Sequence, residues 1–143
     1  MAVMTGVQSE PGGQDPDGLE HQARMDLEAA AIEYILKKVP GLEKTKKNNR
    51  GYDLFKPGAN GEPIRWIEVK AMTQSMAHRP VGLSSAQFDC AQEHRAAYWI
   101  YVVEYAGSEK MHLVSIQDPA GKARTFTFDG GWRAVADPDV TSG

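Results

Sequence analysis

The chain has 143 residues, 41% of them apolar, which suits a single domain with a real core. Its 16 Lys and Arg against 19 Asp and Glu leave a net charge of −3, so it is no uniformly basic nucleic-acid binder, and any polyanion must meet a local patch. A lone cysteine, Cys90, excludes a disulfide framework and a cysteine-rich zinc site; the four histidines (His21, His78, His94, His112) show no ligand spacing, and no apolar run is long enough to span a bilayer. A soluble, cytoplasmic protein with no membrane partner is expected.

Residues 1–18 are rich in Gly, Pro and polar residues without any period, as expected of a disordered leader. From Leu19 to Val39, Leu27, Ala30, Ala31, Tyr34 and Ile35 recur at helical spacing, and Pro40-Gly41 ends the pattern. On a helical wheel Glu28 falls at the margin of that apolar face, while Glu33 falls well off it. Leu42 to Lys47 is short and basic. Lys44, Lys46 and Lys47, with Arg50, are either the gatekeepers of an edge strand or a strip that contacts phosphates. Asn48 to Gly51 is turn chemistry, and Gly51 is expected to supply a backbone conformation that other residues resist. Tyr52–Phe55 then reads as a strand presenting Asp53, followed by a turn over Pro57–Gly61.

The next strand, Ile64 to Met72, alternates. Ile64, Trp66, Glu68 and Lys70 take one face; Arg65, Ile67, Val69 and Ala71 take the other. Residues 72–83 lack a period and read as a loop overhanging the strand end, with His78 and Arg79 as candidate phosphate contacts. Ser84 to Arg95 reads as a second helix with a capping box, Ser84-x-x-Gln87; Phe88 and Ala91 should face the core, with Glu93, His94 and Arg95 outward. Ala97–Tyr105 is nearly continuously apolar and β-prone, as a central strand covered on both faces would be, so its aromatic residues are read as core. Met111–Ile116 is a further strand. Arg124–Phe128 suggests an edge strand, Gly130-Gly131 a turn toward Trp132–Ala136, and 137–143 a frayed tail, giving one domain over 19–136.

The chemistry concentrates in Gly51–Lys70. Should the strands carrying Asp53 and Glu68 pair as a hairpin, two carboxylates and the Lys70 ammonium converge. Adjacent carboxylates repel, so one must protonate or a cation must join them. An all-oxygen pair suits Mg²⁺, with Mn²⁺ as substitute, and such an ion can hold a phosphate oxygen and activate water. Taken alone, Glu68-x-Lys70 is more simply a surface ion pair worth about 0–1 kcal/mol.

Two motifs change that balance. Asp53-x14-Glu68-x-Lys70 resembles the signature of the PD-(D/E)XK nuclease superfamily. Asn49-x-Gly51-Tyr52-Asp53-Leu54 together with Arg65-x-Ile67-Glu68-Val69-Lys70-Ala71 resembles the C-terminal domain of the plant protein NO VEIN, which also occurs in bacterial helicase-associated proteins and is regarded as nuclease-like. The superfamily's usual Pro before the first acid is Tyr52 here, the residue expected within the NO VEIN-like family. The resemblance, over Arg24 to Pro119, implies an α/β restriction-endonuclease-like core: a mixed sheet flanked by helices in the order α-β-β-β-α-β-β. It implies a catalytic set of Asp53, Glu68, Lys70 and Glu28, the last matching the family's first-helix Glu in Leu27–Ala31. The metal would be held by Asp53, Glu68 and the Val69 carbonyl, with Gln87 and Asn49 as secondary residues.

The expected function is Mg²⁺-dependent phosphodiester hydrolysis on nucleic acid, DNA before RNA. Restriction, phage defence or DNA processing would be the setting, and a helicase or restriction-system partner and a homodimer are implied. The competing reading is a catalytically silent nuclease fold that binds nucleic acid or such a partner; a purely structural subunit is a third.

Overall fold

The computed structural model describes residue 15, residues 17–46 and residues 49–122. Lys47, the strand expected over 124–128, the residues around 130–143 and most of the leader lie outside the described residues.

Helix α1 spans His21–Lys38; Glu20 caps it by accepting from the Ala23 N–H at 2.8 Å, and Lys37 and Lys38 complement the carbonyl end. Ala31 and Ile35 are fully buried, and Leu27 and Tyr34 pack beside them, which is the face that the periodicity predicts. Five strands follow in sheet order: β1 (Glu43–Lys44), β2 (Leu54–Pro57), β3 (Pro63–Ala71), β4 (Tyr98–Glu104) and β5 (His112–Gln117). Among the described strands only β3 and β4 pair in parallel. A parallel neighbour needs a crossover, supplied here by α2 (Ser85–His94) and a 3₁₀ turn at Arg95–Ala97; a four-residue helix, α3 (Pro119–Lys122), follows β5. The result is an α/β domain with a five-stranded mixed sheet flanked by helices, consistent with the expected restriction-endonuclease-like core.

The alternation of β3 assigns its two faces. Ile67, Val69 and Ala71 join Leu54, Tyr101, Val103 and the α1 residues Ala31 and Ile35 in one core. Met72, Tyr98, Ile100, Val102 and Ala91 of α2 form the other. The continuous apolar run of β4 is thus explained: it is covered on both sides. Between β2 and β3 the turn is closed by Gly58 N–H to the Glu62 carbonyl at 2.7 Å, and Gly61 takes a left-handed φ of 85° that a side chain would disfavour.

Three local expectations are corrected. The strand expected over Tyr52–Phe55 begins at Leu54, because Asp53 bends the chain and offers β3 its carboxylate in place of a ladder carbonyl. Gly51 does not occupy the left-handed region; a Cβ there would come within 3.2 Å of Cys90, so its requirement is close approach to α2. His94 does not simply face outward: its ring stacks on Trp66 with centroids 3.6 Å apart.

Candidate functional site

β2 begins only at Leu54, opposite Ile67, so the last four residues of β3 run on without a β2 partner. Side chains take over along that edge. The Ile67 carbonyl accepts from the Asp53 N–H at 2.8 Å, and the Val69 N–H donates to Asp53 Oδ2 at 2.9 Å. The Ala71 carbonyl accepts from Arg24 Nη1 at 2.8 Å, and the Thr73 N–H donates to Asp17 Oδ2 at 3.3 Å. Edge groups of a sheet must find such partners or water. The Val69 carbonyl, by strand alternation, faces the same edge as its N–H.

Asp53 is anchored on this edge, with its own carbonyl accepting from the Thr45 N–H at 3.0 Å. Glu68 and Lys70 project on the α2 side and are almost wholly buried, with 5% and 9% of their surface exposed. One residue of α2 ties them together. Gln87 donates Nε2 to Glu68 Oε2 at 2.9 Å, and its Oε1 accepts from Lys70 Nζ at 3.0 Å. The same Oε1 accepts from the Ser84 N–H at 2.9 Å, completing the capping box. The helix start and the polar cluster therefore share one carboxamide. Lys70 Nζ also lies 3.6 Å from Glu68 Oε2.

Three carboxyls and one ammonium interact here. Burial first, then the Asp53 charge, push Glu68 well above the ordinary carboxylate range, with Lys70 opposing. Asp53 is also raised by burial, against the pull of the Val69 N–H and of the Lys70 charge. Glu28 reaches the cluster from α1, half-buried as its place on the wheel predicts, and is raised by burial and by Asp53 while Arg24 and Lys70 lower it. Among the described residues no group of three or more His, Cys, Asp or Glu side chains is placed to hold a metal ion together. The donors at this edge are two carboxylates, Asp53 and Glu68, and the Val69 carbonyl, an oxygen-only set whose chemistry suits a hard divalent ion that keeps several waters and not a structural zinc.

The other expected residues divide. Lys44, Lys46, Asn49, Arg50 and His78 are exposed. Asn49 positions the entry to the site: its Oδ1 accepts from the N–H groups of Gly51 and Tyr52 at 2.8 and 3.2 Å. Arg79 is already engaged, its guanidinium donating twice to Asp17 Oδ1.

Sequence reasoning missed the network that holds Arg79. Asp15 and Asp17, at the end of the segment expected to be a leader, accept from Arg24, and the Asp17 side chain is fully buried between Arg24 and Arg79. Two aspartates in a Gly- and Pro-rich stretch carry no periodic signal. The loop beyond β3 is pinned a second time, because Glu104 accepts from Ser75 Oγ at 3.0 Å, from the Met76 N–H at 2.6 Å and pairs with His112 Nε2 at 2.7 Å. Tyr98 is fully buried, as the apolar strand pattern implies, and its hydroxyl donates to the Gly51 carbonyl at 2.7 Å.

Fold and site together define an α/β domain with a buried acid–lysine cluster at an interrupted sheet edge. Residues 27–116, most of the chain, match the family described as Protein NO VEIN, C-terminal, and the chain belongs to that family. No curated protein and no solved structure matches it. Among the described residues no helix is long and apolar enough to cross a membrane.

Proposed function

We propose that the domain is a metal-dependent nuclease of the PD-(D/E)XK type, acting on DNA in the cytoplasm. One observation carries this reading. The half-buried Asp53 and the buried Glu68 lie close enough for each to influence the other's charge, while Gln87 holds Lys70 beside Glu68. No packing need requires that combination, and a shared site of raised carboxyls is the usual environment of chemistry.

Asp53 and Glu68, with the Val69 carbonyl, would hold Mg²⁺ or Mn²⁺, and Glu28 would accept from the ion's water shell. When bound, the ion supplies Lewis acidity and a water of lowered pKa. The residues supply the rest. Lys70, fixed by Gln87, orients the attacking water and offsets the charge that builds on the phosphoryl oxygens. Gln87 keeps the Glu68 lone pair directed and the ammonium in reach. Water's oxygen bonds to phosphorus as the bond to the leaving oxygen breaks, and a proton passes to that oxygen. The exposed Lys44, Lys46 and Arg50 flank Asp53 in the chain and would draw in the polyanion. Restriction, phage defence or DNA processing, a helicase or restriction-system partner and a homodimer cutting both strands accord with this activity.

The test is incubation of the protein with plasmid, linear DNA, single-stranded DNA and RNA, in Mn²⁺ and in chelator. Cleavage in Mn²⁺ alone, abolished in a folded Lys70→Ala variant, is the expected result. Full activity in that variant removes Lys70 from the mechanism. Absence of cleavage, with no Mn²⁺ uptake by calorimetry in either wild type or Asp53→Asn, replaces the enzyme with a silent binding module.

A further inference from the structure

We infer that Tyr98 is a positioning residue for Asp53, acting through the Gly51 carbonyl, and so a determinant of divalent-cation affinity that its place in an apolar strand conceals. The inference rests on the metal site proposed above.

Tyr98 opens β4 directly beside Trp66 of β3 and projects into the α2 core, with none of its surface exposed. A buried tyrosine needs a partner for its hydroxyl. Its partner is a main-chain carbonyl two residues before Asp53, at 2.7 Å. On its other side Gly51 is pressed against Cys90, where an added Cβ would meet the Cys90 side chain at 3.2 Å. Asn49 then fixes the N–H groups of Gly51 and Tyr52. The segment entering the site is thus held from three directions, and the phenol links it to β4. Past that anchor the chain bends and Asp53 meets the Val69 N–H. Removing the hydroxyl leaves the half-buried Gly51 carbonyl without this partner and frees the segment to shift, carrying the carboxylate away from Glu68.

Tyr101 supplies the control. It is nearly as buried, and its hydroxyl accepts from Arg65 Nη1 at 3.1 Å, but it sits in the α1 core, away from Gly51. Tyr98→Phe and Tyr101→Phe each remove one hydroxyl from β4. Two readouts separate them in the full chain: Mn²⁺ affinity by calorimetry, and hydrogen exchange at the Val69 amide, which reports Asp53 without any metal. Tyr98→Phe should weaken Mn²⁺ about tenfold, the usual scale for a residue behind a metal ligand, and speed Val69 exchange several-fold. Tyr101→Phe should change neither. Equal behaviour of the two variants overturns the inference, as does unchanged Val69 exchange in Tyr98→Phe. If the wild type binds no Mn²⁺ while Val69 exchange still rises in Tyr98→Phe alone, the positioning role stands and the metal reading falls.

Discussion

Replacing Glu68 with Gln should make the protein more stable while removing the metal binding proposed above. The side chain is buried and accepts from Gln87 at 2.9 Å, a bond that the Gln carbonyl retains. The new amide can donate to Asp53, which otherwise faces a like charge. What is lost is attraction to Lys70 across 3.6 Å; what is relieved is burial of a charge plus repulsion from Asp53 and Glu28. The raised Glu68 value measures the cost of holding its charge there, at about 1.4 kcal/mol per unit, so the uncharged Gln variant is expected to be more stable by about 1–2 kcal/mol at neutral pH. For a domain of this size that raises Tm by about 3–8 °C.

The sign with pH follows from linkage. Glu68, Asp53 and Glu28 have folded values above their unfolded ones, so their contribution is complete below the unfolded carboxylate range and is lost as pH climbs through the raised values. Asp15 and Asp17 work the other way: their lowered values contribute above that range and are lost as pH falls. Both sets of groups except Glu68 are common to the two proteins, so the advantage of the Gln variant should grow between about pH 5 and about pH 8. Saturating Mn²⁺, at about 100 times Kd, should add about 2.7 kcal/mol to the wild type alone and reverse the order. Thermal melts at both pH values, with and without Mn²⁺, read all of this. A variant that is less stable than wild type in chelator at both pH values refutes the reasoning.

Gln87→Ala should cost about 1–3 kcal/mol, because one substitution removes half of the capping box and the partner of a buried acid; denaturant melts would register it. The same variant should weaken Mn²⁺ uptake, whereas Ser84→Ala, which removes only the cap hydroxyl, should not. Arg24→Ala leaves Asp17 buried with a single cation and the Ala71 carbonyl unpaired, and should lose about 2–4 kcal/mol by the same measurement. Joint replacement of Lys44, Lys46 and Arg50 by Ala should leave Mn²⁺ affinity intact but weaken DNA binding and flatten its salt dependence, with a slope smaller by about one for each phosphate no longer neutralised.

Much of the fold is legible because periodicity and packing agree. The α1 face, the alternation of β3 and the doubly covered β4 each follow from where apolar residues fall, and each appears where expected. The place of Glu28 at the rim of its helix follows from angle alone. What is not legible depends on polar contacts between segments far apart in sequence. Arg24 meets Ala71, and Arg79 meets Asp17 across 62 positions; no local pattern encodes either pairing. The Tyr98 hydroxyl is hidden for a different reason: an apolar strand explains the ring so fully that its polar end leaves no mark in the pattern. Gly51 stands out in the sequence as a turn residue, but the physics that requires it is a close approach in place of an unusual torsion.

A carboxylate that stands in for a strand carbonyl, as Asp53 does toward Val69, is constrained twice. A relative without the proposed hydrolysis would still need an acceptor there, and Asn would serve. An acid at this position is therefore weak testimony to activity in any relative. The ammonium at position 70 is more informative, since nothing in the hydrogen bonding of the sheet asks for it, and its absence from a relative would mark a domain outside the proposed chemistry.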